Sequence, residues 1–357
     1  MSNNSGLGAG PSGLNGVRVA QLQPQDRDRW DQFVLDCSEA TFFHMSGWKT
    51  VIEQAFGHRT CFLLAEADGR IEGVLPLAEV KSFLFGHSLV SLPFCVYGGI
   101  AASSERAKTA LDQAAQKCAE SMNVDHLEYR TLLHSHDDWA HKDLYVTFRK
   151  NIDSDNERNL LAIPRKQRAM VRKGIKAGLK SEIDKGVDRF FSAYAASVHR
   201  LGTPVFSKRY FEILTKVFES NCEVLAITNA DGRLIASVLS FRFRDEILPY
   251  YGGGTAEARE VAGNDFMYWE VMRRACDQGV RIFDYGRSKR GTGSFDFKKN
   301  WGFEPQQLDY KYLLIKGKSV PDHNPLNPKY QMFIKLWQHL PLRLANIIGP
   351  HIVKSLG

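Results

Sequence analysis

The 357-residue chain has no window approaching the roughly 18 consecutive apolar residues that a membrane-spanning helix needs, which excludes a helical integral membrane protein. Its six cysteines, Cys37, Cys61, Cys95, Cys118, Cys222 and Cys276, show no C-x-x-C spacing. That argues against a zinc site and a disulfide framework, and predicts buried, reduced thiols in a cytoplasmic protein. There is no H-x-x-x-H, H-E-x-x-H or Cys/His cluster, so no metal is expected. The absence of G-x-S-x-G speaks against a serine hydrolase. The opening residues, "MSNNSGLGAGPSGLNG", lack a charged leader and an apolar core, and read as a flexible tail over 1–16 rather than a signal peptide.

What is present fits a soluble globular protein of two domains: 43% of residues are hydrophobic and 11% aromatic. A net charge of +7 predicts attraction to polyanions such as nucleic acid, phosphorylated ligands or acidic lipid. Acid is missing altogether from two stretches. "IPRKQRAMVRKGIKAGLK" holds seven basic residues from Arg165 to Lys180. Its Arg165, Arg168, Arg172 and Lys176 fall on one helical face beside a stripe of Val171, Ile175 and Leu179. Such a helix can dock while presenting charge to phosphates. The tail from Lys329 is equally free of acid, and Met332, Phe333, Leu336 and Trp337 give it a helical apolar face. Docking on the body and lying on an anionic membrane both suit that face.

The chain also repeats itself. "FLLAEADGRIEGVLPLA" (62–78) matches "VLAITNADGRLIASVLSF" (224–241), each an Asp-Gly hairpin between β-rich runs. "VYGG" ending at Gly99 matches "YYGG" ending at Gly253. Helical patterns follow at 104–121 and 264–278, and each leads to a short strand, "HLEYR" or "IFDYGR". The expected organisation is α/β (α+β): a tail over 1–16, two copies of one unit over 17–158 and 159–316, and a basic amphipathic tail over 317–357.

Between Phe283 and Phe303 lies "FDYGRSKRGTGSFDFKKNWGF". Gly286-x-x-x-x-Gly291-Thr292 lacks the P-loop lysine, and Gly291-Thr292-Gly293 lacks the third glycine of a dinucleotide fingerprint. A backbone nest feeding a short helix remains, with Thr292 and Ser294 at its start and Arg287, Lys289 and Arg290 adding charge. Strand alternation sends Asp284 and Tyr285 to opposite faces. Asp284 can take a proton from an attacking amine, pair with Arg287, or cap a loop. Lys298 and Lys299 point about 100° apart on a helix, so at most one faces the site.

The tandem order, with "TFFHMSGWKTVIEQAFG", "IPRKQRAMVRKGIKAGL" and "FDFKKNWGFEP", resembles the FemAB-like transferases, which are tandem GNAT proteins. "GTPVFSKRYF", "FDYGRSKRGTG" and "NPLNPKY" are similar to strings of the BioF2-like branch associated with exosortase/PEP-CTERM exopolysaccharide clusters. The resemblance covers roughly residues 17–350. It implies an acyl or aminoacyl transferase acting on a cell-envelope, exopolysaccharide or peptidoglycan precursor, phosphorylated or lipid-linked. It places Lys298 near the reacting acyl group, and His44 and Trp48 beside the acceptor groove. The donor is a co-substrate, aminoacyl-tRNA or acyl-CoA, with no tightly bound cofactor. "AREVAGND" departs from the GNAT pyrophosphate loop at Ala262 and Asn264 while keeping Arg259, which weakens CoA as donor. The alternatives are a GNAT-type acyl-CoA-dependent N-acyltransferase and a non-catalytic polyanion-binding module.

Overall fold

The structure, a computed structural model, describes residues 16–82, 86–132, 136–320 and 328–356. Apart from Gly16, the tail expected over 1–16 lies outside the described residues. The chain begins with β1 (Arg18–Gln21), α1 (Arg27–Asp36), α2 (Gly47–Phe56), β2 (Thr60–Ala67), β3 (Arg70–Ser82) and β4 (Gly86–Ser91). There follow β5 (Ala101–Ala102), α3 (Glu105–Ser121), β6 (His126–Thr131), β7 (Ala140–Lys142) and β8 (Tyr145–Asn151). Next come α4 (Asn156–Ala162), α5 (Arg165–Lys176), β9 (Lys180–Asp184), α6 (Asp188–Arg200), α7 (Lys208–Phe218), β10 (Cys222–Thr228) and β11 (Leu234–Phe243). The second half closes with β12 (Glu246–Gly254), α8 (Gly263–Asp277), β13 (Ile282–Asp284), β14 (Ser288–Lys289), α9 (Gly293–Asn300), β15 (Pro305–Gln307) and β16 (Asp309–Leu314). Two helices end the chain, α10 (Pro328–His339) and α11 (Leu342–Val353).

Both repeated hairpins form. Asp68 and Gly69 sit at φ 50° and 74°, the pair of positive values that a two-residue turn between β2 and β3 needs. The turn between β10 and β11 is built differently: the Asn229 side-chain oxygen accepts from the backbone N–H of Asp231 and Arg233. The helices expected at 104–121 and 264–278 are α3 and α8. Ser104 caps α3 by accepting from the Ala107 amide at 3.3 Å. In each unit one parallel pair, β4 with β6 and β12 with β13, interrupts an antiparallel meander.

The sheets do not respect the boundary expected at 158/159. One sheet runs β1-β2-β3-β4-β6-β16-β7, the other β14-β8-β13-β12-β11-β10-β9. Thus β16, from the end of the second copy, pairs with β6 of the first, and β8 of the first pairs with β13 of the second. Each copy donates its last strand to the other.

A shared apolar core reinforces the exchange. Phe42 lies 4.6 Å from Phe241 and 4.7 Å from Phe218, ring to ring, and Phe43 lies 5.3 Å from Tyr250. "FFHMSGW" is therefore a buried seam between the units. The tail docks on the body: Trp337, Ala345 and Val353 are buried, and Leu340 O lies 2.9 Å from the His199 Nε2. All six cysteines are buried and free.

Candidate functional site

The turn that leaves β13 is held by an interlocked set of side chains. Asp284 is 1% exposed, and its carboxylate accepts from the Gly286 amide at 2.7 Å, the Tyr97 hydroxyl at 2.8 Å and the Thr147 hydroxyl at 3.3 Å. Arg149 Nε lies 3.4 Å away and its guanidinium also pairs with Glu246. Burial pushes the Asp284 pKa up, against the pull of Arg149 and these hydrogen bonds. With its oxygens occupied in this way, Asp284 organises the turn; it neither pairs with Arg287 nor presents a free base. Gly286 makes the turn possible at φ 64°, a value that a side chain would strain.

Lys298 reaches back from α9 to the same turn. Its half-buried amine donates to the carbonyls of Gly286 and Arg287, both at 3.0 Å, and lies 5.8 Å from the Phe148 ring centroid. Burial pushes its pKa down to about 7; Asp284 opposes that shift and Arg287 adds to it. In the ammonium form, two of its three N–H donors are used by these carbonyls. Lys299 is exposed, as the helical spacing requires.

Arg287 is the second cation of the turn. It lies 4.6 Å over Tyr145 and donates to the Tyr310 hydroxyl at 3.2 Å, which itself donates to the Val96 carbonyl at 2.6 Å. Arg130 approaches the same Tyr310 ring at 5.8 Å but is paired with Glu128 at 2.7 Å. Among the described residues, Arg287 has no carboxylate partner. The other predicted anion ligands spread outward. Arg290 donates to Gln307, Lys289 lies 5.5 Å over Tyr145, and Thr292 Oγ1 donates to the Lys289 carbonyl while lying 3.1 Å from Ser294 Oγ. Thr292 and Ser294 bond to one another at the start of α9 without capping it, and Arg290 does not join Arg287 and Lys298.

His44 and Trp48 are not at a groove. Trp48 is wholly buried, and its indole donates to the Phe42 carbonyl at 3.1 Å. His44 is 1% exposed; its Nδ1 accepts from the Thr41 amide at 3.0 Å and its Nε2 lies 3.3 Å from the Gly99 carbonyl. Burial pushes its pKa down to about 4, the state of a neutral core histidine. The aromatic neighbours in "FFHMSGW" give the reason: the segment is seam, not surface.

The basic helix α5 stands as a docked element with a charged outer side. Val171 and Gly174 are buried, Gly174 against Phe266 of α8, and Leu179 just past the helix is buried too, while Ile175 is 48% exposed and does not join the docking stripe. Arg172 and Lys176 are exposed; Arg168 is half-buried and donates to the Leu161 carbonyl at 2.9 Å. Gln167 of α5 and the indole of Trp301 both donate to Asp265, so α5 is joined to the end of α9 through one carboxylate. Asp265 is in the first turn of α8, where it already faces the positive end of that helix.

Sequence reasoning missed Tyr97, Thr147, Arg149, Tyr145 and Tyr310. Tyr97 lies in the repeated "VYGG", which was a usable signal. The rest arrive on the exchanged strands β8 and β16, for which the sequence offered none.

A family model described as an acetyltransferase (GNAT) domain matches residues 165–299, from α5 into α9. No curated protein matches the sequence. Among solved structures, FemX is similar with a TM-score of 0.67 and 14% identity, over 89% of this chain and 100% of FemX. A C-terminal domain of a putative lysylphosphatidylglycerol synthetase from Agrobacterium fabrum gives 0.56 and 12%, over 81% and 91% of the two chains. A tandem GNAT protein from the clavulanic acid biosynthesis pathway gives 0.54 and 13%, over 85% and 100%. The chain has a mixed α/β fold of two GNAT-like units in tandem, and the match to the GNAT acetyltransferase model falls in the second.

Proposed function

We propose that this protein transfers an acyl or aminoacyl group from an activated donor to an amine or hydroxyl of a phosphorylated or lipid-linked envelope precursor, including exopolysaccharide precursors. The observation that carries this reading is Lys298, a half-buried amine with a pKa of about 7, fixed by two carbonyls beside Arg287, which has no carboxylate partner among the described residues. The acceptor attacks the donor carbonyl; the new C–N or C–O bond forms and the carbonyl electron pair moves onto oxygen. The remaining N–H of Lys298 stabilises that oxyanion. Collapse restores the carbonyl and expels the leaving oxygen or sulfur, which takes up the proton lost by the acceptor. Arg287 binds an acceptor phosphate, and the turn aligns the two reactants.

For the donor, aminoacyl-tRNA fits better than acyl-CoA. Asp265 occupies the place at the start of α8 where a pyrophosphate would benefit from the helix dipole, and Ala262 takes the left-handed position at φ 56°. The six basic residues of α5 have no carboxylate partner among the described residues and suit an RNA backbone. Filter binding with bulk aminoacyl-tRNA, calorimetry with acetyl-CoA and a transfer assay on an envelope-precursor extract test the reading together. Salt-sensitive micromolar tRNA binding is expected, with CoA binding no tighter than about millimolar. Micromolar, saturable acetyl-CoA binding moves the donor to CoA. Polyanion binding without transfer from either donor leaves a non-catalytic module and overturns the proposal.

A further inference from the structure

The two C-terminal helices are apolar on both sides. Toward the body, Trp337 of α10 and the i, i+4, i+8 stripe Ala345, Gly349 and Val353 of α11 are buried. Ile334 packs against Gly202 and Gly349 against Val205. Away from the body, Met332 and Leu336 of α10 are 65% and 64% exposed, and Leu344, Ile347 and Ile348 of α11 are 47%, 64% and 41% exposed. Leu201, 68% exposed, extends the surface from the end of α6, where Gln338 donates to the neighbouring Arg200 carbonyl. Isolated exposed leucines are ordinary, but five large apolar side chains exposed on two successive helices mark an interaction surface.

The charges choose the occupant. From Lys329 to the last residue there is no aspartate or glutamate. Lys335, Arg343 and Lys354 are exposed and have no carboxylate partner among the described residues. A second copy on a two-fold axis would set these cations against their own kind. An anionic lipid surface instead satisfies both features at once, taking the exposed apolar side chains at the acyl boundary and the cations at the headgroups. Each helix has 12 residues, about 18 Å at 1.5 Å per residue, too short to cross a hydrocarbon core of roughly 30 Å. We infer that α10 and α11 form a peripheral membrane-docking face for anionic phospholipid bilayers. The inference is independent of the transfer reading, and its test needs no substrate.

The test is co-sedimentation of the full chain with vesicles of phosphatidylcholine alone and of phosphatidylcholine with an equal amount of phosphatidylglycerol. The protein should pellet with the mixed vesicles and stay soluble with the neutral ones. L336S/I347S, which removes two outward side chains, should lower the partition coefficient about tenfold or more with an unchanged melting temperature. K335Q/R343Q should lower it about tenfold and remove most of its salt dependence. Failure to pellet with the mixed vesicles, or equal pelleting by all variants, overturns the inference. So does a wild-type dimer in velocity sedimentation that L336S/I347S splits while vesicle binding is absent, since a second copy would then cover the face.

Discussion

Lys298 and Lys299 are adjacent in sequence and opposite in circumstance: one amine is held at the glycine turn, the other is exposed. K298M keeps most of the side-chain volume and removes the charge, so it should lower kcat by on the order of 10²–10³ with KM nearly unchanged. K299M is the control and should be near neutral. The pKa adds a sign that can be checked. With burial lowering it to about 7, the protonated fraction of Lys298 falls as pH rises through that value. If the ammonium is the oxyanion donor, kcat falls with it, and K298R should flatten that limb because a guanidinium stays charged. A kcat that rises through pH 7 would make the neutral amine a proton acceptor, and the donor role would be wrong. The helical angle between the two lysines was legible in the sequence. The roles of Asp284 and His44 were not, because the partners that occupy them, Tyr97, Thr147 and Gly99, are distant in the chain.

At the scale of elements, α5 illustrates how periodicity finds a helix but can misjudge its footing. Counting apolar side chains selects Val171, Ile175 and Leu179 as the docking stripe. Val171 and Leu179 are buried as expected, but Ile175 is exposed and Gly174 takes its place, because a missing side chain lets the backbone approach Phe266. A Cβ on Gly174 would stand 2.6 Å from that residue's Cβ. Of the expected basic face, Arg165, Arg172 and Lys176 are exposed, while Arg168 turns back to the Leu161 carbonyl. R165Q/R172Q/K176Q should weaken RNA binding and reduce the magnitude of the log K against log salt slope by about two to three, with the melting temperature unchanged. G174L should do the reverse: lower the melting temperature by forcing α5 off α8, at a cost of about 1–3 kcal/mol. An unchanged salt slope in the triple variant would reduce the outer side of α5 to solvated charge.

The whole molecule departs most from what the sequence allowed. The repeat, its hairpins and its helices were legible because they are local patterns. The exchange of final strands was not, since "YVTFRKN" and "DYKYLL" have the same alternation whichever sheet they join. Their placement makes the halves interdependent. Without β8, a chain starting at residue 159 leaves β13 unpaired on one side and removes the partner of both β14 and β15. Without β16, a chain ending at residue 158 strips β6 of a neighbour and β7 of its partner. Each half would also expose its side of the Phe42–Phe241 seam. Neither 16–158 nor 159–357 should therefore fold alone; far-UV circular dichroism should show no cooperative melt, and both should aggregate. Co-expressed, the pieces 16–154 and 155–357 should assemble as one complex, because that break falls in the linker between β8 and α4 and leaves α4 whole with its Asp155 cap. The intact chain should unfold in a single calorimetric transition whose van't Hoff and calorimetric enthalpies agree. Two resolved transitions, or a cooperative melt of 159–357 by itself, would mean that the exchanged strands do not couple the units.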